Sequence, residues 1–493
     1  MIREQLPVLQ VVIPLLAAPC CVLLHRARWV WAFAVAVSAA CLAIALTLTA
    51  QISAHGAITY LLGEWAAPWG IEYRIDELSA FVLIVVSTIN LVTILYAGRS
   101  VEQEIDPDRI YLFYTGWILS LTGLLGITVT GDVFNLFVFL EISSLSSYLL
   151  VSLGQDRRCL TAAFQYLVLG TIGATFILIG IGLLYMMTGT LNMADLAARV
   201  PAVADTRTVV VALAFFSIGI AIKVALFPLH MWLPNAYTYA PSVVSAFLAG
   251  TATKVGVYML LRIVLTVFGV SFSFGDISLQ HVLLVMAVLA MVSGSLMAVY
   301  QRNVKRVLAY SSVAQIGYMV LGIGLASATG IAASVLHVFN HALMKTALFL
   351  AVGAVFYRIG SVALEDLHGI AKRMPWTMAA FVAGGLSIIG VPLTVGFISK
   401  WYLLLAAAQQ GWWWLAAIIL ISSLIAVVYI WRIVEVAYFK PVSNAAKGAV
   451  EAPLGLLLPT WVLVVLNVYF GIDATWTAGM AHQIAAALLG TPG

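Results

Sequence analysis

Residues 219–230 read GIAIKVALFPLH: a lysine, Lys223, and five residues later a proline, Pro228, inside an otherwise apolar run. Neither belongs in an ordinary hydrophobic helix. The rest of the chain sharpens the anomaly. Of its 493 residues, 63% are hydrophobic and 9% charged, where a soluble domain carries about 25% charged residues. So few charges cannot cover a water-facing surface. Apolar runs of 18 to 30 residues recur, the length that crosses about 30 Å of hydrocarbon as helix. The sequence predicts an all-α, multi-pass integral membrane protein surrounded by a lipid bilayer.

Fourteen spans are expected, near residues 8–25, 29–50, 76–97, 110–130, 132–153, 160–186, 207–232, 240–268, 282–299, 307–326, 330–353, 377–406, 412–438 and 455–472. Several joints are too tight for a soluble insertion, so residues 1–493 are read as one membrane domain. The segment 51–75, with Glu64, Glu72 and Arg74, is the only sizeable early loop. Odd-numbered loops hold 14 Lys and Arg, and the other side holds 4. Positive loops stay inside, so the odd loops are expected to be cytoplasmic and both termini outside, in the cytoplasmic (inner) membrane. MIREQLPVLQ opens the first span without a small-residue cleavage site, and no removable signal peptide is expected.

A formal charge of +4, scattered over short loops, gives nothing for nucleic acid to bind. Cys20, Cys21, Cys41 and Cys159 lack metal-ligand spacing and read as small hydrophobes. Trp29, Trp31, Trp412, Trp413 and Trp414 mark span ends as interfacial anchors.

Six basic residues fall within spans. Arg262 and Arg432 lie close enough to helix ends to snorkel. The lysines do not. Lys254 is about fourteen residues from either end of its span, or ~20 Å at the helical rise. Lys223 is as central, and Lys345 and Lys400 sit about two turns in. Each central charge carries an insertion penalty of ~2.5–3.5 kcal/mol, so such residues require partners or internal water. One deep carboxylate, Glu141, is available to four amines, which argues against four structural ion pairs. Ser144 and Tyr148 share its helix face and are expected to hydrogen-bond it. At ~4 Å and an effective dielectric of 20, a lysine–Glu141 attraction is ~4 kcal/mol. Desolvation opposes it by a comparable amount, so a small movement of the pair loads or releases a proton.

Pro228 removes a backbone donor and should free the carbonyl of Val224 beside Lys223. The run LSIIGVPLTVGFISKWYLL repeats the device, with Gly390, Pro392 and Gly396 ahead of Lys400. Interrupted lysine-bearing spans, the seventh and twelfth, lie five spans apart. Five is odd, so the two halves must be inverted, as in many transporters. The expected organisation is 1–109 (spans 1–3), 110–268 (first inverted repeat), 282–438 (second) and 455–472 (span 14). Between the breaks, Ser334, His337, His341 and Lys345 recur at three- and four-residue steps as one stripe. It is read either as a proton relay or as interhelical hydrogen-bond glue. No third ligand accompanies the histidines, so no metal site is expected. Ser311, Gln315 and Tyr318 form a second polar line.

These stretches resemble the antiporter-like subunits shared by complex I and Mrp-type multisubunit cation/proton antiporters. IDELSAF, TGDVFNLFVFLEISSLSSY, IKVALFPLHMWLPNAY, ATKVGVY, QRNVKRVLAYSS, HVFNHALMKTALFL and GVPLTVGFISKW carry the likeness over roughly residues 74–410. The resemblance implies fourteen helices, external termini, inverted repeats of helices 4–8 and 9–13, and broken helices 7 and 12. It also implies proton-translocation roles for Glu141, its partner Lys223, the central Lys254, the axis residues His337, His341 and Lys345, and Lys400. One departure stands out: many relatives carry lysine where AAFQYLVLG has Gln165, which cannot titrate. The GDVFNLFVFLEISS wording, the length, Lys254 and the short C-terminal end resemble the D-type members of Mrp antiporters.

The expected function is proton translocation in a multisubunit Na+ or other monovalent cation/H+ antiporter, as a non-enzymatic transporter subunit with other membrane subunits as partners. The main alternative is a proton-pumping subunit of a complex I-like quinone oxidoreductase or hydrogenase complex. The chain lacks cysteine sets for Fe–S clusters and a GxGxxG fingerprint, so no cofactor is expected and redox chemistry would belong to partners. A stand-alone solute symporter ranks lower because the charge count disfavours cytoplasmic termini, and a passive scaffold leaves four central lysines unexplained. A sodium site wants several oxygen ligands together. Apart from Glu141, acids such as Asp132 and Glu435 sit at span edges, which points sodium toward a partner.

Overall fold

A computed structural model describes residues 3–490. The first spans are α1 (Leu6–Leu24), α2 (Ala27–His55), α3 (Glu77–Glu104), α4 (Ile110–Val129), α5 (Val133–Ser152) and α6 (Arg158–Thr188). A short α7 (Met193–Arg199) precedes α8 (Arg207–Val224), α9 (Trp232–Tyr239), α10 (Ser242–Gly250) and α11 (Ala252–Leu261). Then follow α12 (Leu279–Val299), α13 (Val304–Gly324), α14 (Ala328–Ile359), α15 (Pro375–Ile389), α16 (Val395–Gln409), α17 (Trp413–Phe439), α18 (Leu454–Ile472) and α19 (Thr475–Leu489). Among the described residues 13 stretches are long and apolar enough to cross a membrane, Ser242–Val267 counting as one. The pair α15/α16 supplies the fourteenth crossing, as expected.

Span starts are fixed by short polar side chains that take up unpaired N–H groups. Asp76 accepts from Ser79 N, Asp132 from Asn135 N, Asn303 from Arg306 N and Ser327 from Gly330 N. Two of these starts are built alike. Around Asp132, Val133 N donates to Leu191 O and Met193 N to Gly131 O; around Asn303, Val304 N donates to Val362 O and Leu364 N to Arg302 O. The first clip joins the start of span 5 to the chain after span 6, the second the start of span 10 to the chain after span 11. Five spans separate them, the spacing of the two inverted repeats.

The core is a buried group of spans, α3, α4, α10–α11, α13 and α14, wrapped by outer helices with lipid-length apolar faces. α13 is buried throughout, and the 32-residue α14 touches α3, α10, α13, α15, α16, α18 and α19. The polar stripe predicted on α14 therefore lies along the axis of the bundle.

Several details depart from the sequence reading. The loop 51–75 folds as an antiparallel hairpin, Ile58–Leu61 with Glu72–Ile75. Span 7 stops at Val224, before Pro228, and resumes as α9 at Trp232. Ala225 turns left-handed, and the carbonyls of Ala221 and Ile222, rather than Val224, are the ones recapped, by Leu226 N, Ala225 N and the Trp232 indole. Span 8, read as continuous, is broken at Thr251, where no proline announces it. After span 14 the chain forms one more helix, α19, which packs on α14 and α3 and has no counterpart among the expected spans. Trp476 at its start lies against Phe81, Phe339 and Phe470, which ties it to the bundle.

The break of span 12 follows the sequence expectation closely. Gly390 has φ +92°, which favours glycine, and ends α15. Gly396, in the first turn of α16, lies so close to the end of α15 that a Cβ there would meet Ser387 O at 1.8 Å. Gly396→Ala is expected to lower stability by about 1–3 kcal/mol and to cut the yield of monodisperse protein in detergent. Gly182→Ala, where a Cβ meets nothing within 4 Å, serves as the neutral control in the same thermal unfolding measurement.

Candidate functional site

Glu141 projects from the middle of α5 and Lys223 from the last turn of α8, so the broken span brings the lysine near its end to the carboxylate. Lys223 Nζ lies 3.7 Å from Glu141 Oε1, with the lysine buried and the carboxylate half-buried. Ser144 and Tyr148 share the Glu141 face as expected, yet they turn to the amine: Nζ donates to Ser144 Oγ at 2.8 Å and to Tyr148 OH at 3.5 Å. Glu141 Oε1 is left without a hydrogen bond. The pair is thus electrostatic, at a separation a small shift can change. Gln165 lies apart from the amine, on an exposed helix face, and accepts from Asn235 Nδ2 at 2.7 Å.

Lys254 lies in the first turn of α11, just after the break at Thr251. Its Nζ donates to Ala249 O, the freed C-terminal end of α10, and to Thr253 Oγ1. The other end of α10 is held by a carboxylate that the sequence reading does not single out. Glu104 Oε2 accepts from Ser242 N at 2.8 Å and Ser242 Oγ at 2.9 Å, while Oε1 accepts from Ser100 Oγ. Glu104 faces a cavity of about 580 Å³ that also touches Asp156, Arg158, Tyr239 and Lys305. Lys305, read as a loop residue, is buried and donates to Ala240 O. The signal for Glu104 is slight: an acid ending an otherwise apolar span.

The α14 stripe is completely buried at Ser334, His337, His341 and Lys345. Lys345 Nζ donates to Leu308 O and Ser311 Oγ on α13. His337 bridges Ser399 Oγ at 2.8 Å through Nδ1 and Gln315 Oε1 at 2.9 Å through Nε2. His341 stacks parallel to His337, ring centroids 6.1 Å apart, and neither of its nitrogens has a hydrogen-bond partner among the described residues. Ser311 and Gln315 each bond a titratable neighbour, while the Tyr318 hydroxyl meets Ile419 O and Ser423 Oγ.

Lys400, on α16, reaches back across the break to donate to Ile388 O at 2.7 Å, Ile389 O at 3.0 Å and Ser423 Oγ at 3.0 Å. The Tyr318 ring lies under its amine at 4.9 Å and contacts the His337 ring at 5.6 Å. The structure thus gathers the predicted residues into a Glu141–Lys223 group, a Lys254 group and a His337–Lys400 group, with His341 and Lys345 following His337 along α14. Pro228 and Pro392 fall in the two predicted breaks.

Of the two arginines, Arg262 does not snorkel freely but is tied down. Arg262 is buried and forms a two-pronged ion pair with Asp76 at 2.7 Å on each prong. Arg432 caps Val299 O and Gln301 O at the end of α12. Among the described residues no three His, Cys, Asp or Glu side chains converge on a point that could hold a metal.

Comparison with known proteins identifies the family of the chain. Residues 130–426 match the family described as NADH:quinone oxidoreductase/Mrp antiporter, transmembrane. The chain is 43% identical over 426 residues to the N-type membrane subunit of the NADH-quinone oxidoreductase of Desulforudis audaxviator, covering 84% of each. It is 32% identical over 436 residues to the D-type subunit of the Na(+)/H(+) antiporter of Alkalihalophilus pseudofirmus, covering 88% of this chain and 87% of that one. The fold superposes on a chain of the Mrp complex from Dietzia sp. DQ12-45-1b with a TM-score of 0.90 and 27% identity, over 99% and 98% of the two chains. A family match over residues 130–426 and relatives aligned along most of the chain make this protein a member of the NADH:quinone oxidoreductase/Mrp antiporter membrane-subunit family.

Proposed function

We propose that the chain is the proton-translocating subunit of a Mrp-type monovalent cation/H+ antiporter, assembled with other membrane subunits in the cytoplasmic membrane with both termini outside. The observation that carries this reading is the Glu141–Lys223 pair, 3.7 Å apart at a broken helix, in a chain similar to the D-type members of Na+/H+ antiporters. A proton enters one half-channel and charges Lys223 or Lys254. It passes along Lys345, His341 and His337 and leaves near Lys400.

Two of these stops have a visible physical basis. Separating Glu141 from Lys223 removes the attraction that holds the ammonium, and desolvation then favours proton release. At His337, one ring nitrogen faces the Gln315 oxygen and the other the Ser399 hydroxyl. Imidazole can therefore take a proton at one nitrogen and lose one from the other. The boundaries 110–268 and 282–438 are kept for the two repeats. Matched clips at Asp132 and Asn303 support them.

A second reading, a proton-pumping subunit of a complex I-like or hydrogenase complex driven by its partners' redox chemistry, is favoured by the quinone oxidoreductase relative. Both readings give this chain the same task. They differ in what moves the Glu141–Lys223 pair, and isolating the native complex and identifying its other chains separates them.

Glu141→Gln is expected to abolish cation/proton exchange in everted vesicles while the complex still assembles; full exchange in that variant overturns the role. At Lys400 a substitution can separate proton transfer from capping. Arginine keeps a cation beside Ile388 O and Ile389 O but does not deprotonate in a protein. Lys400→Arg is therefore expected to preserve assembly and reduce exchange roughly a hundredfold. Exchange at the native rate would show that Lys400 only caps the helix.

A further inference from the structure

The geometry points to an outer access path to Lys254 that is closed by the Asp76–Arg262 ion pair, and we propose that this pair is its gate. The inference rests on the proposed function and orientation, but it concerns residues that neither required.

Lys254, Tyr258 and Arg262 stand four and eight residues apart, in line along one face of helix. Arg262 NH1 and NH2 hold the two Asp76 oxygens, and NH2 also donates to Ser79 Oγ at 3.1 Å. Ser79 Oγ is 3.1 Å from Tyr258 OH, and Tyr258 OH donates to Thr128 O at 3.0 Å. The direction of the row follows from the groups themselves. A guanidinium only donates, so Ser79 accepts from it. Tyr258 spends its one proton on Thr128, so Ser79 must donate to Tyr258. The result is a one-way row, Arg262 to Ser79 to Tyr258, with its far end one helical turn from Lys254.

Hydroxyl rows pass protons by hopping and turning. A proton accepted at Ser79 is matched by release of Ser79's own proton to Tyr258, and Tyr258, turning from Thr128 O, gives its own proton to the neutral amine of Lys254, its neighbour one helical turn away. Rotation of both groups then restores the row, so no other reactant is needed. With Arg262 in place nothing enters, because a fixed cation occupies the entry position. Beyond it lies a cavity of about 440 Å³ lined by Arg74, Asp76, Glu77 and Arg262, with Ala487 and Leu488 of α19 on its wall. By the charge count this is the outer face. Glu77 lines the same cavity as the ion pair and offers a second carboxylate for Arg262 when it leaves Ser79. A π-helical turn starts at Arg262 itself, a local geometry that recurs at functional sites. Asp76 and Arg262 are positioning residues: they control access to the hydroxyls and do not carry the proton.

The alternative is a staple that only joins α3 to α11. Asp76→Asn alone strands a buried guanidinium, so the informative variant is Asp76→Asn/Arg262→Gln, which removes both charges and keeps a polar amide at each position. In proteoliposomes of the full complex, with potassium and valinomycin clamping the voltage and no exchangeable sodium, this variant should leak protons several-fold faster than the native complex. Adding Tyr258→Phe should return the leak to the native rate. An assembled double variant that does not leak, or a leak that survives Tyr258→Phe, overturns the gate. If the double variant fails to assemble, Tyr258→Phe alone decides: exchange falls roughly tenfold with assembly intact if the row carries protons, and unchanged exchange overturns it. The leak is read without antiport, so failure of the gate leaves the Glu141→Gln result, and the function it tests, standing.

Discussion

A carbonyl oxygen that loses its helical partner inside hydrocarbon has no water to turn to and costs several kcal/mol if left alone. A lysine ammonium in the same place is as unwelcome. This protein sets one against the other. Lys254 donates to the freed carbonyl at the end of α10, and Lys400 to two at the end of α15. Each break needs a donor and each amine needs an acceptor, so charge and discontinuity stabilise one another in the dry core. An ammonium offers three donors, whereas a neutral amine offers two and an acceptor. In the proposed mechanism, loss of a proton therefore alters the capping of the break.

Span 7 solves the same problem differently. Its freed Ile222 carbonyl is taken by the Trp232 indole, which does not titrate. Lys223 is thereby released from capping and is free to face Glu141. Of the three broken spans, this one alone among the described residues holds its lysine against a carboxylate. The two repeats share their clips and their breaks but carry different chemistry: an ion pair at span 7 and a carbonyl-capping amine at span 12.

The nine-residue α10 is held by a charged group at each end. A carboxylate, Glu104, sits at its N-terminus and an ammonium, Lys254, at its C-terminus. Both complement the helix dipole. The segment, about 13 Å long at the helical rise, joins the wall of a polar cavity to the central lysine.

Composition and period determined much of this protein without help: its membrane class, the number of crossings, the breaks ahead of Lys400 and after Lys223, and the α14 stripe. Those features follow from residue type, because hydrocarbon permits so few backbone solutions and so few reasons for a charge. What lay beyond reach depended on residues far apart in sequence. The break at Thr251 has no proline to mark it, and its amine cap arrives only when the chain folds. Arg262 looks able to snorkel because its partner, Asp76, lies 186 residues away. Ser144 and Tyr148 fall on the correct face, but only packing against α8 decided that they serve the lysine and not Glu141. The sequence by itself determined which groups are too polar for lipid; the tertiary structure alone decided which partners they meet, because pairing in a dry interior is set by where whole helices cross.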